Sequence, residues 1–165
     1  MVIFLPYIEA VAKKYNCQVT LLVKENSKAE HLIKDNKYIN EIIILKRDQT
    51  KRGFHDGLNG FFRLVSDIKK YQFDKVLIFN SSLRYKLVCK FAGINDIYQY
   101  PLFKKKNQHI IEAANKLLKN NFNLEIKSDP VIDVKDENVQ KINLKFKFSN
   151  EVKNILLGIG GSGPT

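Results

Sequence analysis

Apolar residues recur along this chain in two ways, as short continuous runs and as one-sided stripes, and the two alternate regularly. Ile8, Val11, Ala12 and Tyr15 share one side of PYIEAVAKKY with lysines opposite, which predicts a helix over Pro6 to Tyr15 with proline in its first turn. Gln18 to Lys24 (QVTLLVK) follows as a strand. Ser27 is placed to cap a second helix reaching Asp35, with Glu30 completing a capping box, and Glu41 to Leu45 (EIIIL) is the next strand. The polar, glycine-containing stretch Lys46 to Gly60 reads as a long loop. Phe61 to Tyr71 is then helical, Asp74 to Phe79 (DKVLIF) a third strand, and Ser82 to Ala92 a helix stopped by Gly93. Asp96 to Tyr100 is a shorter strand, Gln108 to Asn121 a helix, and Val139 to Phe148 a further bridging element.

Strands that are apolar throughout, separated by helices, predict an α/β fold: a doubly wound, Rossmann-like parallel sheet covered on both faces. Such a sheet opens on a central strand, whereas this chain opens on a helix. A first strand is therefore expected upstream of Met1, with Met1 to Leu5 ending the connection into the helix. At the other end Lys153 to Leu157 (KNILL) reads as a strand running into a glycine-rich turn. The expected organisation is a Rossmann-like domain over 1–148, lacking its first strand, and a linker with the first strand-loop of a second domain over 149–165.

Length and composition agree with one domain and a stub: 165 residues, 44% of them apolar. The 28 Lys and Arg against 17 Asp and Glu give a formal charge of +11, which favours an anionic partner. Neither zinc-finger spacing nor an RNP-type aromatic motif is present, so nothing supports nucleic acid as that partner. Cys17 and Cys89, far apart and in apolar surroundings, read as two buried thiols of a reducing compartment. No run approaches the roughly 18–20 apolar residues of a membrane span, and Pro6 and Glu9 interrupt any leader-like core, so the chain reads as cytoplasmic.

In parallel α/β sheets ligands sit beyond the carboxyl ends of the strands, which directs attention to the segments after each strand. Gly158-Ile159-Gly160-Gly161-Ser162-Gly163 fits GxGxxG, and the run is one residue from a P-loop, with Pro164 where the phosphate-binding lysine belongs. Proline supplies neither the charge nor a backbone donor, so the P-loop fails. The dinucleotide fingerprint belongs after the first strand of its domain, so the run fits best as the opening loop of a second domain that approaches a phosphate. Asn80-Ser81-Ser82-Leu83-Arg84 leaves the third strand and starts a helix; a serine there caps, and Arg84 opposes the helix dipole, which points to an anionic ligand nearby. His31, His55 and His109 have no second ligand at metal spacing, and Asp133 and Asp136 read as solvated loop residues. No nucleophile–base triad and no carboxylate pair stands out.

The order of segments VIFLPYIEAVAKKYN, QVTLLV, KAEHLIKDNKYINEIIIL, FDKVLIFNSSLRYKLVCKFAGI, IYQYPL, a histidine-led helix and ILLGIGGSGPT resembles glycosyltransferase family 9, the bacterial lipopolysaccharide heptosyltransferases, over essentially the whole chain. The resemblance implies the N-terminal half of a GT-B enzyme, whose two Rossmann-like domains face each other across a cleft. The acceptor, a lipopolysaccharide core, binds the first domain, and a nucleotide-sugar donor such as ADP-heptose binds the second. It implies inverting transfer with neither metal nor other cofactor, a carboxylate as general base and a diphosphate leaving group held by backbone N–H groups and cations. In the family that carboxylate belongs to a Gly-Asp pair before the segment matching Val2 to Pro6, so the catalytic residue is expected upstream of Met1 and the chain alone is expected to be inactive.

Carried onto this sequence, the resemblance assigns Gly160, Gly161, Ser162 and Thr165 to the donor phosphates and Ser82 and Arg84 to the acidic acceptor. It also implies peripheral contact with an anionic inner leaflet. Two readings of another class remain beside it: an oxidoreductase using the GxGxxG run, and a basic, non-catalytic binding domain.

Overall fold

The computed structural model describes residues 2–48, 53–100, 109–132 and 134–147. They fall into two units that divide after Ile132. In the first unit a 3-10 turn, Val2–Phe4, leads into α1 (Leu5–Tyr15), followed by β1 (Val19–Lys24), α2 (Ala29–Ile33), β2 (Ile39–Leu45), α3 (Gly57–Lys69), β3 (Lys75–Ile78), α4 (Leu83–Phe91), β4 (Asp96–Gln99) and α5 (Ile110–Phe122). The second contains α6 (Asp136–Phe146). Asp136 is thus a first-turn residue of a helix, where its charge favours the dipole, and not a loop residue.

The fold is α/β, and the strand pairing is parallel. Among the described residues the strands form two pairs, β1 with β2 and β3 with β4, where the sequence predicted one sheet. Side chains joining the pairs come from helices on opposite faces. Because side chains alternate along a strand, Ile42 and Ile44 of β2 face Leu21 and Val23 of β1 with Leu5 and Ile8 of α1, whereas Ile43 and Leu45 face Leu64 and Ile68 of α3. Strand β3 divides the same way: Val76 and Ile78 pack with α3 and α4, and Leu77 and Phe79, just past the strand, with Tyr7 of α1 and Leu117 and Leu118 of α5. Helix α1 therefore touches both pairs on one face and α3 touches both on the other.

Helix ends follow local chemistry. Asn16 and Asn123 end α1 and α5 in the left-handed conformation, at φ 49° and 52°, where asparagine carries less penalty than most side chains. Lys14 Nζ donates to the Phe122 carbonyl at 2.9 Å, placing a cation on the negative end of α5. The capping box expected at Ser27 does not form: Glu25–Ser27 is a 3-10 turn, Lys28 takes a left-handed conformation at φ 51°, and α2 begins at Ala29. Helix α3 begins at Gly57, ahead of the predicted Phe61, and Gly60 lies inside it. A Cβ on Gly60 would lie 2.2 Å from the His55 carbonyl carbon, so glycine serves close packing there and not a turn. Cys17 is exposed in the turn between α1 and β1, correcting the expectation of two buried thiols; Cys89 is buried in α4, and burial pushes its thiol up to about 11.

Candidate functional site

The carboxyl ends of β2 and β3 meet the amino end of α4 through a polar knot. After β2, Asp56 gathers the chain around its carboxylate: Oδ1 accepts from Arg47 Nε at 2.7 Å, and Oδ2 accepts from the backbone N–H groups of Asp48 and Gly53 at 3.0 and 2.9 Å. The Arg47 guanidinium, followed by the two N–H groups, holds the Asp56 carboxyl down at about 2. His55, 4% exposed, accepts the Lys46 N–H at Nδ1 at 3.0 Å, which leaves the ring proton on Nε2, 3.2 Å from Asp67 Oδ2 of α3. The buried histidine is a structural pin between loop and helix.

That pinning gives a pH test. Asp56 has a folded-state pKa below its ordinary 3.8, so its contribution to stability is complete above about pH 4 and is lost as the pH falls toward 2. Asp56→Asn is expected to be less stable at neutral pH and to flatten the acid limb between those values. Circular dichroism during acid titration reads both, and an unchanged acid profile would show that the carboxylate does not organise the loop.

Two arginines tie α4 to the loop after β2. Arg47 Nη1 donates to the Tyr85 hydroxyl at 3.3 Å, and Arg84 Nη2 donates to the carbonyls of His55 and Gly57 at 2.9 and 3.0 Å. The Arg84 guanidinium lies 5.5 Å from the Phe61 ring centroid. Arg84 is thus a clasp between α4 and the loop leading into α3. Its Nε is buried and without a partner among the described residues.

Ser82 occupies the N-cap position of α4, but its hydroxyl caps no backbone N–H. The Asn80 side chain serves the local turn, accepting the Ser82 N–H at 2.7 Å. Gln99, at the end of β4, donates from Nε2 to the carbonyls of Asn80 and Ser82, both at 2.8 Å, and its Oε1 is buried without a partner among the described residues. The start of α4 therefore joins first-turn N–H groups, the Ser82 hydroxyl, two arginines, an unsatisfied guanidinium N–H and an unsatisfied amide oxygen. Such an arrangement can hold an anion bearing hydroxyl groups.

Of the residues singled out from sequence, Ser82 and Arg84 lie together here, while Gly160, Gly161, Ser162 and Thr165 lie outside the described residues. His109 caps α5, its Nδ1 accepting the Ile111 N–H at 3.4 Å, and His31 lies in α2. Among the described residues no His, Cys, Asp and Glu cluster could hold a metal. Arg47, Asp56 and Gln99 escape sequence reasoning, because their partners are brought close only by folding: the Asp56 and Tyr85 side chains for Arg47, backbone N–H groups beside Arg47 for Asp56, and backbone carbonyls for Gln99. A groove of about 390 Å³ beside Glu30, Lys34 and Glu41 opens at the amino end of β2, opposite the edge where ligands bind in parallel α/β sheets. No helix among the described residues is long and apolar enough to cross a membrane. The chain matches no protein-family model, and neither curated proteins nor solved structures give a significant match.

Proposed function

We propose that this chain is the acceptor side of a sugar-transferring enzyme of the family 9 type, built on a Rossmann-like, doubly wound sheet, with the edge between β2, β3 and α4 receiving an acidic, phosphorylated saccharide. The observation that carries the reading is the meeting of Arg47 and Arg84 between the first turn of α4 and the loop after β2, beside Arg84 Nε and Gln99 Oε1, buried and without a partner among the described residues. Leaving a buried polar group unsatisfied costs roughly 1–3 kcal/mol, so such atoms are ordinarily met by water or a ligand. A phosphate or carboxylate meets the guanidinium, and a sugar hydroxyl meets the amide oxygen. The order of segments from Val2 to Thr165 supplies the class of reaction.

On this reading the first domain binds and orients, and the chemistry of the leaving diphosphate belongs to the donor side, where Gly160, Gly161, Ser162 and Thr165 are assigned. A general base within the acceptor domain takes the proton of the attacking hydroxyl as the sugar carbon is transferred with inversion. The test is release of ADP from ADP-heptose by the product of the complete reading frame containing this chain, with and without a phosphorylated lipopolysaccharide core acceptor. Acceptor-dependent release is expected. Failure with ADP-heptose and with every other nucleotide sugar tried would remove sugar transfer.

A further inference from the structure

Among the described residues His55 is the one buried polar or charged side chain, and both arginines of the α4 edge are attached to its immediate surroundings. A backbone N–H can only donate, so the 3.0 Å bond from Lys46 requires a lone pair on Nδ1 and hence a neutral ring. In return the His55 N–H donates to the Lys46 carbonyl at 2.9 Å, which closes the two residues onto each other. Arg47 follows Lys46 in the chain, and Arg84 Nη2 donates to the His55 carbonyl at 2.9 Å. One imidazole lone pair therefore helps to keep both guanidinium groups in place.

Imidazole is the side chain whose charge ordinarily changes in mildly acid solution. A proton on Nδ1 would face the Lys46 N–H, donor against donor, and that bond would be lost. The bond between Nε2 and Asp67 Oδ2, 3.2 Å long, would meanwhile become a contact between full charges. The imidazolium is thus held on the α3 side and rejected on the loop side. Charges on every packed element act on this balance. From α3, Asp67 favours the cation, and Lys70, 3.0 Å from the other Asp67 oxygen, weakens that pull. From α4, Arg84 reaches the His55 carbonyl, and in the loop Arg47 and Asp56 offset each other as an ion pair. The Phe54 ring stands edge-on at 5.0 Å, with Arg63 4.5 Å from its centroid. Asp56, held down at about 2, keeps its charge in mild acid, so the change falls to the histidine.

We infer that His55 is a pH-sensitive latch: neutral, it closes Lys46 onto the segment Gly53–Gly57 that Arg84 grips, and protonated, it stays with Asp67 of α3 and lets Lys46 go. Opening the latch loosens the segment on which both arginines of the α4 edge are anchored. The inference does not depend on sugar transfer, since the latch is read in the chain without ligand.

The test is NMR of the isotopically labelled full chain between about pH 8 and about pH 5, following the His55 ring nitrogens together with amide-exchange protection. On acidification His55 is expected to pass from the Nε2–H form to the imidazolium. Protection of the Lys46 amide is expected to fall at least tenfold in step, while Leu64 and Leu118, both fully buried, stay protected. Asp67→Asn, at a carboxylate on the edge of the cluster where folding is least disturbed, removes the charge that favours the cation and is expected to move both changes to lower pH. His55→Asn, whose amide oxygen can accept the Lys46 N–H but takes up no proton, is expected to make Lys46 protection independent of pH. A protonated His55 with Lys46 still protected, or a His55 that stays neutral throughout, overturns the inference. Loss of protection at Lys46 that comes only with loss at Leu64 and Leu118 is general unfolding and would equally overturn it.

Discussion

Leu64→Ala is expected to destabilise the chain by about 3 kcal/mol, within the range of roughly 2–5 kcal/mol for a leucine removed from a well-packed core. Leu64 is 0% exposed and sits where Leu45 of β2, Ile78 of β3 and Val88 of α4 come together. Because no strand of one pair bonds to a strand of the other among the described residues, this side chain is part of what joins the pairs. A small domain is stable by only about 5–15 kcal/mol, so the loss is a large fraction of the total. Urea unfolding should show a much lower midpoint with an unchanged slope. Leu64→Met, which keeps the volume, should cost less than about 1.5 kcal/mol, and Leu144→Ala, at a position 79% exposed, should stay within about 0.5 kcal/mol. Equal effects at 64 and 144 would mean that the α3 cluster is not the core.

The strands were legible because each carries its own signal. Ile42 to Leu45 is apolar at every position, and the structure shows why: successive side chains enter two different clusters, one under α1 and one under α3. Lys75 to Ile78 reads the same way for the same reason. Pairing was not legible to the same degree, since an apolar run says that both faces are covered and does not say which edge finds a partner. The start of α3 was missed because Gly57 and Gly60 read as a loop; Gly60 is small for the sake of the His55 backbone, a requirement visible only in three dimensions. Ser27 and Cys17 misled in a related way. Each has a suggestive neighbourhood in sequence, but the left-handed Lys28 displaces the cap and the turn after Asn16 turns Cys17 to solvent.

At the candidate site, sequence singled out Arg84 through its position against the helix dipole, and that is the one rule an isolated helix can break visibly. The partners of the arginine were out of reach. His55 and Gly57 offer backbone carbonyls, which no residue code announces, and the Arg47–Asp56 pair is formed by a loop whose closure depends on the same contacts. The basic excess of the chain gave a class of partner, whereas folding gathers two of its arginines, Arg47 and Arg84, in a polar knot after β2.

Arg84→Ala is expected to act on stability and on ligand binding at once. Removing two charge-assisted hydrogen bonds to backbone carbonyls should cost about 2 kcal/mol and release the segment from Gly53 to Gly57, seen as faster amide exchange there. If the same guanidinium also faces the ligand through Nε, affinity for a phosphorylated core saccharide should fall at least tenfold when measured well below the unfolding transition. Arg84→Lys separates the two roles: lysine keeps the charge and loses the planar fork, so anion affinity should recover in part while the clasp on His55 and Gly57 does not. Loss of stability in Arg84→Ala with undiminished saccharide binding would make Arg84 a clasp alone. The amino end of α4 would then no longer support the proposed acidic acceptor.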